Sequence, residues 1–112
     1  MIDRYTFGKF IIDKTEYKSN VLLLGKTAKL GRYLPEHELS INDIILAVDY
    51  KPEYIVIGTG ADGVMSVTAE ISEFIESKGI NLIVLKTKDA CMTYNALLKE
   101  GKKVAAFLHN TC

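Results

Sequence analysis

Apolar positions along this chain follow one period in its first third and two alternating periods afterwards. Tyr5, Phe7, Phe10 and Ile12 have strand spacing, and their alternation changes phase at Gly8-Lys9, which predicts a bulge or sharp bend there. Asp13-Lys14-Thr15-Glu16 reads as a turn and Asn20 to Leu24 as the next strand. Gly25 and Gly31 flank a short polar stretch that reads as an edge strand, and Leu34-Pro35-Glu36-His37 as a loop.

Helical spacing begins at Ile41, with Ile44, Ile45 and Val48 completing one stripe. Ser40 is the expected N-cap, Asp43 places a carboxylate near the positive helix end, and Pro52 stops the element. Tyr54 to Ile57 then reads as a buried strand. A helix from about Val67 to Lys78 carries Val67, Ile71, Phe74 and Ile75 inward and stops at Gly79. Asn81 to Leu85 is a strand, and a third helix runs from about Ala90 to Glu100 with Ala90, Tyr94, Leu97 and Leu98 inward. Gly101 ends that helix, and Lys103 to Leu108 is the last strand. Two successive strand–helix–strand units predict three parallel strands joined by right-handed crossovers. The expected fold is α/β, with a β-rich N-terminal part and a βαβαβ C-terminal part.

A chain of 112 residues bounds the count at one domain, residues 1–112. Runs such as Val21 to Leu24 and Val104 to Leu108 are too short to cross a bilayer. With no charged-then-apolar segment at the start, the expected compartment is the cytoplasm. Zero formal net charge argues against nucleic acid as a partner. The charges are nevertheless segregated: residues 1–35 hold seven basic and three acidic side chains, residues 36–76 one and nine, and residues 77–112 six and two. Such a distribution suits self-association or a charged protein partner. Cys91 and Cys112 read as two free thiols.

Candidate chemistry gathers at the carboxyl ends of the parallel strands, where open α/β sheets bind ligands. Three segments lie there: Gly58 to Gly63, Lys86 to Asp89, and His109 to Cys112. The first, Gly58-Thr59-Gly60-Ala61-Asp62-Gly63, spells G-x-G-x-x-G behind a strand. Its context fits a dinucleotide poorly. Ser66 as helix N-cap leaves Gly63 in a loop, Lys86 stands where an acidic residue is expected, and a second mononucleotide half is missing. Two readings stay open, a small-anion site made of backbone N–H groups and a purely structural tight turn.

The second segment leads into Thr87-Lys88-Asp89-Ala90-Cys91-Met92-Thr93-Tyr94-Asn95. With Thr87 or Asp89 as cap, Cys91 falls in the first helical turn, where the dipole lowers a thiol pKa. A reactive thiolate with His109 as its base is weighed against a small buried core residue. Tyr94 continues the apolar stripe, whereas Asn95 either faces solvent or hydrogen-bonds into the glycine loop. His109 and Cys112, with Cys91 and His37, are zinc-ligand types, but nothing in the sequence brings His37 to the others. Neither a metal nor a cofactor is expected.

Pro52 through Gly60 and the run Thr87-x-x-Ala90-x-x-Thr93-Tyr94-Asn95-x-Leu97-x-x-Glu100-Gly101, followed by Val104-Ala105-Ala106, resemble one small-domain family. It is the largely uncharacterised group that includes mitochondrial complex I assembly factor 3 and the adipogenesis-associated domain protein. Phe7-Gly8 followed by Phe10-Ile11-Ile12 fits its N-terminal pattern, and the His109-Asn110-Thr111-Cys112 tail is similar to archaeal members. Lys102 departs from the arginine common after the Glu-Gly pair. The resemblance implies a three-layer α/β domain with a central mixed sheet, and assembly or regulatory roles without catalysis. Three functions therefore compete. One is a non-catalytic domain acting through protein contacts. The second is a small-molecule or anion binder, with weak enzyme activity as its extreme form, using Gly58, Thr59, Gly60, Asp62, Thr87, Cys91, Tyr94, Asn95 and His109. The third is thiol chemistry at Cys91.

Overall fold

The computed structural model describes every residue, Met1–Cys112. Strands β1 (Ile2–Thr6), β2 (Lys9–Ile12) and β3 (Thr15–Tyr17) form an antiparallel three-stranded sheet. The phase change at Gly8-Lys9 is a hairpin: Thr6 pairs with Lys9, and Phe7-Gly8 is the turn. Phe7 is accordingly an exposed loop residue, 61% accessible, and belongs to no apolar stripe. The register irregularity sits instead between Ile2 and Arg4. The next turn is shorter than the sequence predicts, because only Asp13 and Lys14 form it and Thr15 and Glu16 enter β3.

The remaining strands are β4 (Val21–Leu24), β5 (Thr27–Leu30), β6 (Tyr54–Gly58), β7 (Asn81–Leu85) and β8 (Val104–Leu108). They make one mixed sheet of order β5-β4-β8-β6-β7, with β4 antiparallel to β5 and β8, and β6 parallel to β7 and β8. Helices are α1 (Ile41–Asp49), α2 (Ala69–Ser77) and α3 (Thr87–Lys99). The chain steps outward from β6 through α2 to β7, then back across β6 through α3 to β8. Crossovers of one hand taken in opposite directions put their helices on opposite faces.

Side-chain alternation in the central strands serves both faces. Leu22, Ile55, Ile57, Ala105 and Phe107 pack with Ile44, Ala47 and Val48 of α1 and Ile71 and Ile75 of α2. Val21, Leu23, Val56, Val104, Ala106 and Leu108 pack with Ala90, Cys91 and Tyr94 of α3 and with Ile2, Phe10 and Ile12 of the small sheet. The result is the three-layer α/β arrangement with a central mixed sheet.

Helix starts follow local chemistry with two corrections. Ser40 is the N-cap of α1 as expected, its N–H and hydroxyl both donating to the Asp43 carboxylate at 2.8 Å, and Asp43 also takes a bidentate pair from Arg32, at 2.8 and 3.0 Å. Burial alone would raise the Asp43 pKa, but Arg32 and the Ser40 N–H and hydroxyl together hold it low. Helix α2 is capped by Thr68, not Ser66. Ser66 is engaged with the loop before α1, its N–H bonding the His37 carbonyl and its carbonyl accepting from Leu39. Helix α3 begins at Thr87, earlier than the apolar stripe predicts, and no side chain caps it.

Candidate functional site

The three strand-end segments do meet, and they meet by bonding to one another. The glycine turn leaves β6 with its N–H groups pointed at neighbouring chain. Thr59 donates to the Leu85 carbonyl at 2.9 Å, Gly60 to the Thr87 hydroxyl at 2.8 Å and Ala61 to the Thr111 carbonyl at 2.7 Å. Val64 donates to the Cys112 carbonyl at 2.8 Å and Met65 to the Thr59 carbonyl at 3.0 Å. Thr87 is the junction: its N–H donates to the Gly60 carbonyl, and its hydroxyl accepts from Gly60 and donates to the His109 carbonyl at 2.8 Å. The segment after β8 therefore fills the crevice that an anion would need. Gly60, at φ +105°, is what lets Thr111 and Cys112 lie against the turn.

Of the nine candidate residues, Gly58, Thr59, Gly60, Thr87 and His109 share this junction. Asp62 is exposed at the tip of the loop. The others lie in the α3 layer. Cys91 is buried beneath the helix start, and burial pushes its thiol up to about 12, the reverse of an activated thiolate. The dipole expectation fails because Cys91 stands one turn inside a helix that starts at Thr87, with its side chain in the core. Tyr94 is fully buried and donates its hydroxyl to the carbonyls of Gly25, at 2.6 Å, and Val104, at 3.2 Å. Asn95 is half-buried and does not reach the glycine loop. Its amide clamps Ile2, accepting from the N–H at 3.1 Å and donating to the carbonyl at 2.8 Å.

The unforeseen part of the site is a polar chain through His109. His109 Nδ1 lies 2.8 Å from Asn20 Oδ1, and His109 Nε2 lies 2.9 Å from His37 Nδ1. Asn20 is oriented by its other bonds, Nδ2 donating to the Arg32 carbonyl and Oδ1 accepting from the Asn110 N–H, each 2.8 Å. An oxygen facing His109 requires the proton on Nδ1, so Nε2 accepts and His37 donates from Nδ1. His37 thus does reach His109, although the two are 72 residues apart and no local pattern joins them. No group of three or more metal-ligand side chains converges here.

Burial first, and the charge of His37 second, lower the His109 pKa from its ordinary value of 6.5. The unfolded chain then binds a proton in mild acid that the folded chain refuses. Stability is expected to be full above about pH 6.5 and to decline as pH falls below it, until the folded His109 also protonates. Urea midpoints measured at steps from pH 8 to 5 check this, and a midpoint that rises on acidification contradicts it.

Open volume lies beside this junction. A groove of about 520 Å³ runs between the first turns of α1 and α2, with Leu34, Leu39, Ile41 and Ile71 as its apolar lining and Glu36, Glu38 and Glu70 as exposed carboxylates on its rim. None of these three carboxylates has a salt-bridge partner, and Arg32, also at the groove, is committed to Asp43. Across the sheet the sign reverses: α3 and the residues just outside it carry Lys86, Lys88, Lys99, Lys102 and Lys103 against Asp89 and Glu100.

The profile of a family described as protein of unknown function (DUF498/DUF598) matches residues 2–109. The chain belongs to that family. A relative from Francisella tularensis subsp. holarctica (strain LVS), named 13 kDa major membrane protein, is 32% identical over 93% of this chain and 85% of its own length. Among solved structures, a conserved hypothetical protein from Pyrococcus horikoshii OT3 matches with a TM-score of 0.86, covering 100% of this chain and 99% of that one at 20% identity. An outer membrane protein from Bartonella henselae matches with a TM-score of 0.83 over 99% and 94% of the two chains at 23% identity. These structures share the DUF498/DUF598 chain's α/β fold. In the chain itself, no helix is long and apolar enough to cross a membrane.

Proposed function

We propose that this DUF498/DUF598 chain is a non-catalytic domain of the assembly or accessory kind, which receives a basic segment of a protein partner in the groove between α1 and α2. The observation that carries the reading is the groove itself, an apolar floor ringed by three unpaired carboxylates, Glu36, Glu38 and Glu70. A lysine or arginine stem covers apolar lining while its charge meets the rim. Both helix N-termini here are already capped, by Ser40 with Asp43 and by Thr68, so the groove attracts cations and not anions. What weighs against the small-anion reading is that the N–H groups of Thr59, Gly60, Ala61 and Val64 already bond within the chain, to Leu85, Thr87, Thr111 and Cys112.

Chemical-shift mapping with a lysine- and arginine-rich peptide tests the groove. The reading expects shifts at Glu36, Glu38 and Glu70 that weaken with salt and vanish in a Glu36→Lys, Glu38→Lys, Glu70→Lys variant. Binding that leaves these residues unmoved, or no binding at low salt, overturns it. The reading also places the domain in the cytoplasm. Fractionation of native cells checks that against the membrane named for two relatives.

A further inference from the structure

The strap Leu34–Ser40 forms one wall of the groove, contributing Leu34, Pro35, Glu36, Glu38 and Leu39 to its lining. Its middle residue, His37, turns the other way and is pinned to His109. Backbone bonds hold the strap to the chain beyond the glycine turn: Ser66 N–H donates to the His37 carbonyl at 2.8 Å and Leu39 N–H to the Ser66 carbonyl at 3.3 Å. His37 to His109 is the side-chain bond that joins this wall to the end of β8. We propose that the His37–His109 pair is a proton-operated latch on the groove wall, closed while one proton is shared between the rings and opened when each ring carries its own extra proton.

The argument is one of hydrogen-bond bookkeeping on fixed partners. Asn20 cannot turn its amide without breaking its bonds to Arg32 and Asn110, so His109 keeps its proton on Nδ1. His37 then donates from Nδ1 to His109 Nε2, and its own Nε2 is left as a lone pair. No buried side-chain nitrogen or oxygen lacks a partner, and His37 Nε2 makes no bond within the chain, so that nitrogen meets solvent. A proton on that nitrogen would leave the latch intact, because the imidazolium still donates from Nδ1. A second proton has only His109 Nε2 left to occupy. It sets one N–H against another in a site where His109 is 2% exposed, and the contact becomes repulsive.

The groups around the pair do not restore the bond to the strap in that state. The Thr111 hydroxyl, 3.4 Å from His109 Nε2, offers a proton there only a long contact that does not involve the strap, while Thr87 meets the His109 carbonyl and not the ring. The Arg32 carbonyl faces Asn20, and the Arg32 guanidinium is spent on Asp43. Glu36 and Glu38 flank His37 on its own strap and are exposed, and neither bonds to the buried His109 ring. Burial first, and the charge of His37 second, lower the affinity of His109 for a proton.

The inference rests on the groove reading for its consequence, release of a basic partner in acid, but its test uses the chain alone. Ring ¹⁵N shifts at about pH 7.5 report the tautomers directly. The latch expects His109 protonated at Nδ1 and bare at Nε2, and the reverse tautomer overturns it. On acidification, the bonded amides of the strap and its anchor, His37, Leu39 and Ser66, are expected to lose exchange protection at least about tenfold as His109 protonates, while those of β6 and β8 keep theirs. A His37→Ala variant is expected to show that loosened strap already at neutral pH. Strap protection unchanged in the variant, or unchanged through His109 protonation, overturns the latch. Global loss of protection in acid also overturns it, since a latch must open before the fold does. Peptide mapping alone can fail while all of these hold, which separates the groove from the latch.

Discussion

Gly60→Ala is expected to destabilise the chain by about 3 kcal/mol, the largest single effect of adding one methyl group anywhere in the glycine loop. An added Cβ would stand 2.1 Å from the Cys112 carbonyl carbon, 2.2 Å from its oxygen and 2.8 Å from the Thr111 oxygen. Backbone cannot swing aside as a flexible side chain does, so the tail must move. Moving it breaks the bonds from Ala61 to Thr111 and from Val64 to Cys112. The φ of +105° adds backbone strain for any L side chain, of about 1–3 kcal/mol. Stiffening of the unfolded chain returns less than about 1 kcal/mol. Gly63→Ala is the control. Its φ is +73° but its nearest neighbours, Lys86 Cγ and Cε, are 3.5 Å away, so it carries the strain without the clash and is expected to cost about 1 kcal/mol. Urea midpoints at constant slope measure both. Equal losses at the two positions would mean that the tail does not lie against Gly60.

The second large effect is expected at Thr87→Val, a loss of about 2 kcal/mol. Valine keeps the shape and removes the hydroxyl that joins all three strand-end segments. Thr87 is fully buried, so the Gly60 N–H and the His109 carbonyl both lose their partner where water cannot replace it. Each buried unpaired group costs about 1–3 kcal/mol, offset in part by the more apolar side chain. Thr87→Ser keeps the hydroxyl and gives up one methyl, for about 1 kcal/mol. A valine variant no weaker than the serine variant would remove Thr87 from its place as the junction.

Much of this architecture was legible because it is periodic. The stripes at Ile41–Val48, Ile71–Ile75 and Ala90–Leu98 belong to helices, and the alternation of strand and helix after Pro52 implied the parallel strands whose ends converge. The errors arose where two neighbours compete for one role. Ser66 and Thr68 are both good caps, and the choice between them was made by the strap, which takes Ser66 into an isolated parallel bridge with Glu38. Thr87 or Asp89 was expected to cap the third helix, but no side chain caps it, and the Thr87 hydroxyl is drawn to Gly60 and His109 instead.

The occupancy of the crevice was not legible at all. A glycine turn behind a strand looks the same whether it waits for an anion or packs against residues about fifty positions later. Nothing periodic couples Gly60 to Cys112, or Asn20 and His37 to His109, because each contact is a single long-range event fixed by the assembled sheet. His109 stood out beside Cys112 as a zinc-ligand type, yet its partners proved to be an amide and a second imidazole. Charge segregation was visible as counts along the chain. Only the fold turned it into a groove with an acidic rim.

Amide hydrogen exchange at Ala61 and Val64 tests most directly whether the chain closes its own strand-end crevice. Both lie in an irregular loop, where backbone without partners exchanges freely. The tail contacts predict protection approaching that of Val56 and Ala106 in the central sheet. Exchange at Ala61 and Val64 as fast as in an open loop would contradict the account and return the glycine turn to the role of a vacant anion cradle.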